Sequence, residues 1–342
     1  MSPGAAKTTM VTNIEAIAHP SPDVLAEILS AGTRPVVLRG LVADWPLVKC
    51  AQQSDGEVDG YLRGFYEGAT VNVFSGEPEI EGRFFYNEEL TGFNFSRSRA
   101  RLDEVLDQLQ CGPGDETQSS YYVGATTVDT CLPGFTLENS VEMGDIDPLT
   151  SIWIGNQTRI AAHYDLPDNL ACVAAGHRRF TLFPPEQLAN LYPGPLDFTP
   201  AGQQISLVDF HQPDLQRFPL FGHAMDSALV AELAPGDAIF IPSMWWHHVE
   251  SLASLNVLVN YWWRKSPAYM GPPVDVLLHA LLSLRDLPPE QKKAWAGIFE
   301  HYIFGEDSSV GHIPAASQGF LGPMDEIQAR KLRATLMSKI NR

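Results

Sequence analysis

IAAHYDLPDNLACVAAGHRRFTLF, residues Ile160 to Phe183, carries more structural information than any other part of the chain. Asn169–Ala174 and His177–Phe183 read as two strands joined by a tight turn at Gly176. In the second strand His177, Arg179 and Thr181 share one face. Phe180 and Leu182 take the other together with Arg178. An arginine on an apolar face is costly unless it meets an anion. Two readings of Arg178 stand. It stays solvated at the strand end, or it clamps a carboxylate through its planar fork.

Upstream of that pair, His163 and Asp165 are two residues apart. On a strand both side chains would leave the same face. An imidazole and a carboxylate pointing into one space supply two ligands of the facial triad that holds non-haem Fe(II) and leaves positions open. A bare His-x-Asp is common in surface loops, so the third ligand carries weight. The best candidate is His247, in GDAIFIPSMWWHHVESL, residues 236–252. Strict alternation puts His247 and His248 on opposite faces, so one joins the pair and the other is structural.

Outward from this stretch, Ser151 to Asn260 reads as serial short strands with Gly/Pro turns, the pattern of an all-β barrel or sandwich. A long connection, roughly 184–234, interrupts it. Asn256–Trp263, NVLVNYWW, is a strand in which Asn260 is polar within an apolar run. Asn260 is either a satisfied core amide or a hydrogen-bond donor to a bound acid. Ser120–Thr126 is another strand, and its Tyr122 faces the core or a ligand.

On the N-terminal side, the first dozen residues are expected to be loose. A helix capped by Ser21 and Pro22 and closed at Gly32 is followed by a strand over Arg34–Gly40 and a turn anchored by Trp45. Ala69–Phe95 is rich in Phe, Tyr and Gly and reads as short strands. Leu102, Val105, Leu106 and Leu109 have helical spacing ending at Gly112, with a loop over Gly112–Gln118. After Lys265 the pattern turns helical. Val274, Leu277, Leu278, Leu281 and Leu282 form one stripe, Pro288-Pro289 opens a helix reaching about Phe304, and a third runs from about Met324 to Ile340. The expected division is an N-terminal α/β segment (1–118) packing on the barrel, a β core (119–265), and C-terminal helices (266–342) that pack on the barrel or on a second subunit, a homodimer being the favoured reading.

The chain has 342 residues, 44% of them hydrophobic, and a net charge of −18. That excess of acid argues against a nucleic-acid backbone or an anionic membrane surface as partner. Cys50, Cys111, Cys131 and Cys172 are widely spaced with no CxxC, which suits a reducing compartment better than a disulfide framework or zinc site. The N-terminal residues lack the apolar core of a signal peptide, and no apolar run is long enough to span a membrane. A cytoplasmic protein is expected.

Five motifs in order carry a resemblance: HYDxxxN (163–169), RFTLFPPEQLANLYPGP (179–195), SLVDFHQPDLQRFP (206–219), PGDAIFIPSMWWHHVESL (235–252) and VNYW (259–262). With them the chain resembles the cupin-like JmjC hydroxylases. Within that family it is most similar to the asparaginyl hydroxylases that act on hypoxia-inducible factor. The N-terminal half matches loosely, chiefly through RPVVLRGLVADWP (34–46).

The resemblance implies a double-stranded β-helix, or jelly roll, with Fe(II) in its mouth, 2-oxoglutarate as cosubstrate and O₂ as oxidant. It implies His163, Asp165 and His247 as metal ligands, and Tyr122, Asn169, Arg178 and Asn260 around the 2-oxoglutarate. Trp262 and Gln204 are implied at the substrate pocket. Arg178 stands where those hydroxylases have a lysine, and Ile160 where they have a threonine. Gln204-Ile205 replaces an Arg-Gln pair, and Gly124 a glutamine near the substrate. The substrate therefore does not transfer with the metal site. It is a protein side chain or a small molecule, and the segments 69–100 and 193–222 are expected to select it. Two other readings are a metal-dependent cupin of different chemistry, such as an isomerase or a keto-acid-independent dioxygenase, and a JmjC-like protein that binds without catalysis.

Overall fold

The computed structural model describes residues 12–110, 119–305 and 310–340. Expectations for the first eleven residues and for the Gly112–Gln118 loop lie outside that range. The described residues fall into two compact units, divided between Arg264 and Lys265.

In the first unit the chain opens with β1 (Thr12–Asn13), β2 (Ala16–Ala18), α1 (Pro22–Ala31) and β3 (Val36–Arg39). The Ser21 hydroxyl accepts from the Val24 backbone N–H, Pro22 occupies the first turn and Gly32 closes α1, as its sequence predicts. Two helices that the sequence reading passed over follow, α2 (Pro46–Ala51) and α3 (Asp55–Phe65). Then come β4 (Thr70–Gly76), β5 (Arg83–Phe84), β6 (Ser96–Arg101), α4 (Leu102–Leu109), β7 (Ser120–Thr127) and α5 (Val128–Cys131). The remaining elements of this unit are β8 (Leu149–Gly155), β9 (Thr158–His163), β10 (Asp168–Ala175), β11 (Arg178–Phe183), α6 (Phe221–Asp226), β12 (Leu229–Leu233), β13 (Ala238–Ile241), β14 (Trp246–Ser251) and β15 (Asn256–Trp263).

These strands form two sheets, of order β1-β12-β11-β14-β9-β5 and β2-β3-β13-β10-β15-β8-β7-β4-β6. Their centres, β12-β11-β14-β9 and β13-β10-β15-β8, are antiparallel throughout. The chain winds between them, which is the expected jelly roll with added helices. The turn at Gly176 therefore does not pair β10 with β11; it carries the chain from one sheet to the other. Gly176 has φ +72°, and a Cβ there would lie 2.3 Å from the Asn256 side-chain oxygen. The connection over 184–234 is not a plain interruption, because β12 within it is a central strand of the smaller sheet. Likewise the N-terminal segment does more than pack on the barrel. Its strands β2, β3, β4 and β6 extend the larger sheet at both edges.

β10 shows why its sequence is an almost continuous apolar run. All eight of its residues are buried. Leu170, Cys172 and Ala174 face a layer of helices that includes Leu47 and Val48 of α2. Ala171 and Val173 face Phe180, Leu182 and Ile239 in the core between the sheets. A strand covered on both faces loses the apolar–polar alternation of a half-exposed one.

The second unit holds α7 (Pro273–Ser283), α8 (Pro289–Phe299) and α9 (Glu326–Ile340), matching the three helices read from the sequence. Its apolar stripes are exposed: Leu278 at 46%, Leu282 at 80% and Trp295 at 42%. Among the described residues, no helix is long and apolar enough to cross a membrane.

Candidate active site

β9 and β14 lie side by side, with His163 directly opposite His247. Their ring centroids are 4.3 Å apart. Asp165 reaches them by a different route from the one its spacing suggested. β9 ends at His163, so the carboxylate is not delivered by strand alternation. It comes from the turn beyond, where the Met244 N–H donates to the Asp165 carbonyl at 2.8 Å and ties this turn to the approach of β14. One Asp165 oxygen lies 3.7 Å from His247 Nε2. A ligand atom from each of His163, Asp165 and His247 lies within 4.8 Å of the other two.

Hydrogen bonds select the free nitrogen of each ring. His163 Nδ1 lies 2.9 Å from the Ala161 carbonyl, and His247 Nδ1 lies 3.0 Å from the Trp245 carbonyl. A carbonyl only accepts, so each Nδ1 carries the proton and donates. Both Nε2 lone pairs are left for a shared ligand, a common arrangement for metal-binding imidazoles. Burial, and then His163, lower the His247 pKa to about 4, so its ring is neutral at physiological pH. His248 points to the opposite face, against Phe210 at 4.6 Å. Of the two adjacent histidines, one joins the cluster and one packs into the wall.

The cluster opens into a cavity of about 630 Å³ within the first unit. Arg178, Tyr122, Asn169, Asn260 and Trp262 also line it. Arg178 is 1% exposed, so it is not solvated at its strand end. Its Nε and Nη2 have no hydrogen-bond partner among the described residues. Burial lowers its pKa, and the nearby Tyr122 offsets part of that. Tyr122 is pushed up to about 12 by burial, so its hydroxyl keeps its proton and can donate. Asn260 Nδ2 donates to Asn169 Oδ1 at 2.7 Å, while Asn260 Oδ1 has no partner among the described residues. The two amides thus brace each other across β15 and β10.

Gln204 departs from expectation. Its side chain does not line the cavity; its amide donates to the Gly194 carbonyl at 2.7 Å. Gln203 and Ile205, the residues on either side, face the cavity instead. The sequence reading also missed an aromatic wall made by Phe74, Phe84, Phe95 and Trp153. The density of Phe and Tyr over residues 69–95 was the available signal.

The donor set and the buried guanidinium together fit a divalent metal and a dicarboxylate. Two imidazoles and one carboxylate are ligands suited to Fe(II). A buried cation whose nitrogen atoms lack partners suits an anion with two oxygens to offer.

The jelly roll is the fold of the cupin class, and the comparison with known families agrees. The model of the cupin-like domain family matches residues 22–269, so the chain belongs to that family. HSPB1-associated protein 1 from Rattus norvegicus is 36% identical over 259 residues, covering 71% of this chain and 51% of that protein. "Lysine-specific demethylase JMJ31" from Arabidopsis thaliana is 36% identical over 125 residues, 36% of this chain and 22% of that protein. tRNA wybutosine-synthesizing protein 5 from Danio rerio is 36% identical over 149 residues, 39% of this chain and 43% of that protein. This chain therefore spans between about a fifth and a half of the length of these relatives.

Proposed function

We propose that this protein is an Fe(II)- and 2-oxoglutarate-dependent oxygenase that hydroxylates its substrate and releases succinate and CO₂. The observation that carries the reading is Arg178, buried and unpartnered at two nitrogens in the same cavity as the three-ligand cluster. A cupin that needs no keto acid would leave that cation without an anion.

Iron held by these three residues would supply, with 2-oxoglutarate and O₂, the oxidising chemistry for hydroxylation. The protein supplies position. His163 and His247 present Nε2, and Asp165 adds the anionic ligand. Arg178 pairs with the distal carboxylate of 2-oxoglutarate, with the Tyr122 hydroxyl donating beside it. Asn169 and Asn260 hold the polar side of the cosubstrate. Trp262, edge-on to Trp153 at 6.0 Å, walls the space where substrate meets the metal.

The relatives include a lysine-specific demethylase and a tRNA wybutosine-synthesizing protein by name, so kinship leaves both protein and nucleic acid open as substrate classes. The net charge of −18 weighs against a long polyanion. The exposed apolar stripes of the C-terminal unit support a homodimer, and the widely spaced cysteines support a cytoplasmic location. The test of the activity is succinate formation from 2-oxoglutarate with Fe(II) and O₂. His163→Ala and Asp165→Ala should each abolish it. An iron-loaded wild type that never consumes the keto acid, whatever substrate is offered, would contradict the reading.

A further inference from the structure

Asp165 is the member of the cluster that no strand holds. Among the described residues no hydrogen bond fixes its carboxylate, and His247 Nε2 lies 3.7 Å away. Its placement therefore rests on the backbone of the turn between β9 and β10. That turn crosses from the smaller sheet to the larger, and the chain between β13 and β14 makes the reverse crossing. The two crossings are pinned beside each other at both ends. His163 stands opposite His247 at one end, and Asn169 opposite Ile241 at the other.

Between those ends, two consecutive residues of the second crossing clip the first. The Met244 N–H donates to the Asp165 carbonyl at 2.8 Å. The Ser243 hydroxyl donates to the Leu166 carbonyl at 2.6 Å, and the Ser243 N–H to Asp168 Oδ1 at 2.8 Å. The acceptors thus run from Asp165 itself to the first residue of β10. Met244 has φ +67°, yet its side chain is 39% exposed, so side-chain packing is not what holds this shape. A non-glycine residue in that region stores strain, a feature concentrated at functional sites. Asp168 is buried and Ser243 half-buried, and neither lines the cavity. Neither side chain therefore stands where it could touch a metal or a cosubstrate.

We propose that Ser243 is a positioning residue for the metal site. With the Met244 N–H and the Asp168 carboxylate, it fixes the turn so that Asp165 stands beside the two imidazoles before a metal binds. This rests on the metal-binding part of the oxygenase reading and on neither the keto acid nor the reaction. Groups that orient metal ligands contribute to affinity without touching the ion, and their loss commonly costs about 10–100-fold. Without the Ser243 hydroxyl the turn loses one of its ties. The carboxylate must then be ordered as the metal binds, at the expense of affinity.

The test is calorimetric titration of the full chain with Ni(II), without 2-oxoglutarate. Ni(II) is the probe because two imidazoles alone retain it. Ser243→Ala should weaken binding by about tenfold or more, while Ser243→Thr, which keeps the hydroxyl, stays near wild type. In an Asp165→Ala background Ser243→Ala should change nothing further, because the carboxylate it positions is gone. Should Ser243→Ala fail to fold, Ser243→Cys, with its weaker donor, supplies the same contrast with Ser243→Thr. Unchanged affinity in Ser243→Ala, an equal loss in Ser243→Thr, or the same loss with Asp165→Ala present would overturn the proposal. A wild type that binds Ni(II) no better than His163→Ala/His247→Ala would overturn the metal site and the positioning role together. Failure of the oxygenase reading alone shows differently: the Ni(II) contrasts stand, while the visible spectrum of the Fe(II) form ignores 2-oxoglutarate.

Discussion

At Arg178 a guanidinium with 1% exposure sits on the apolar face of β11 beside Phe180 and Leu182. Desolvating an unpaired cation costs several kcal/mol, a cost a stable core would avoid. Function and stability therefore pull apart at this residue. Arg178→Met should raise the melting temperature of the ligand-free protein, measured by scanning fluorimetry. The same change should raise the KM for 2-oxoglutarate by about tenfold or more, the loss expected for a charge-assisted bidentate contact. An unchanged KM would remove Arg178 from the site.

The two adjacent histidines give a second expectation at this scale. Burial is the leading cause that lowers both His247 and His248 to about 4, from 6.5 for a free imidazole. Between those values the unfolded chain binds more protons than the folded one. The stability tied to both rings is thus fully present above about pH 6.5 and lost as pH falls through about 4. Unfolding of the metal-free protein by urea should show a midpoint that is flat above pH 6.5 with respect to these rings and declines below it. His248→Asn should shallow that decline.

Among the elements, the β10–β11 turn has the strictest requirement. Gly176→Ala would force a side chain into φ +72° and within 2.5 Å of the Leu255 carbonyl as well as the Asn256 amide. A loss of about 1–3 kcal/mol or more is expected, read as a lowered urea midpoint with the slope preserved. This turn also shows what the sequence discloses and what it conceals. Two strands with a glycine between them were legible from composition and alternation, yet local pattern carries no record of which partner each strand takes. β11 pairs with β12 and β14, both distant in sequence. Motif spacing likewise pointed to His163, Asp165 and His247, but not to the turn that delivers Asp165. β12 was hidden because Leu229–Leu233 alternates poorly inside a polar connection, and α2 because six residues carry too little periodicity. The aromatic wall was hidden for another reason: Phe74, Phe84 and Phe95 come from β4, β5 and the approach to β6, and they meet only when β4 and β6 join the larger sheet and β5 the smaller.

Taken as a whole, the molecule joins a buried β core to a C-terminal unit in which, among the described residues, Ala329 alone is a buried hydrophobic. Exposed apolar stripes are the ground on which a homodimer is proposed. Sedimentation equilibrium should give twice the chain mass, and Leu278→Glu/Leu282→Glu on α7 should give the monomer. A wild type that sediments as a monomer at micromolar concentration would remove the homodimer. The proposed oxygenase needs His163, Asp165, His247 and Arg178 to hold a metal and a keto acid together. The most direct measurement is the visible spectrum of the protein under nitrogen as 2-oxoglutarate is added to its Fe(II) form. A weak band that saturates with the keto acid, and is absent in Asp165→Ala, is the predicted result. A wild-type spectrum that does not change on addition of 2-oxoglutarate would contradict it.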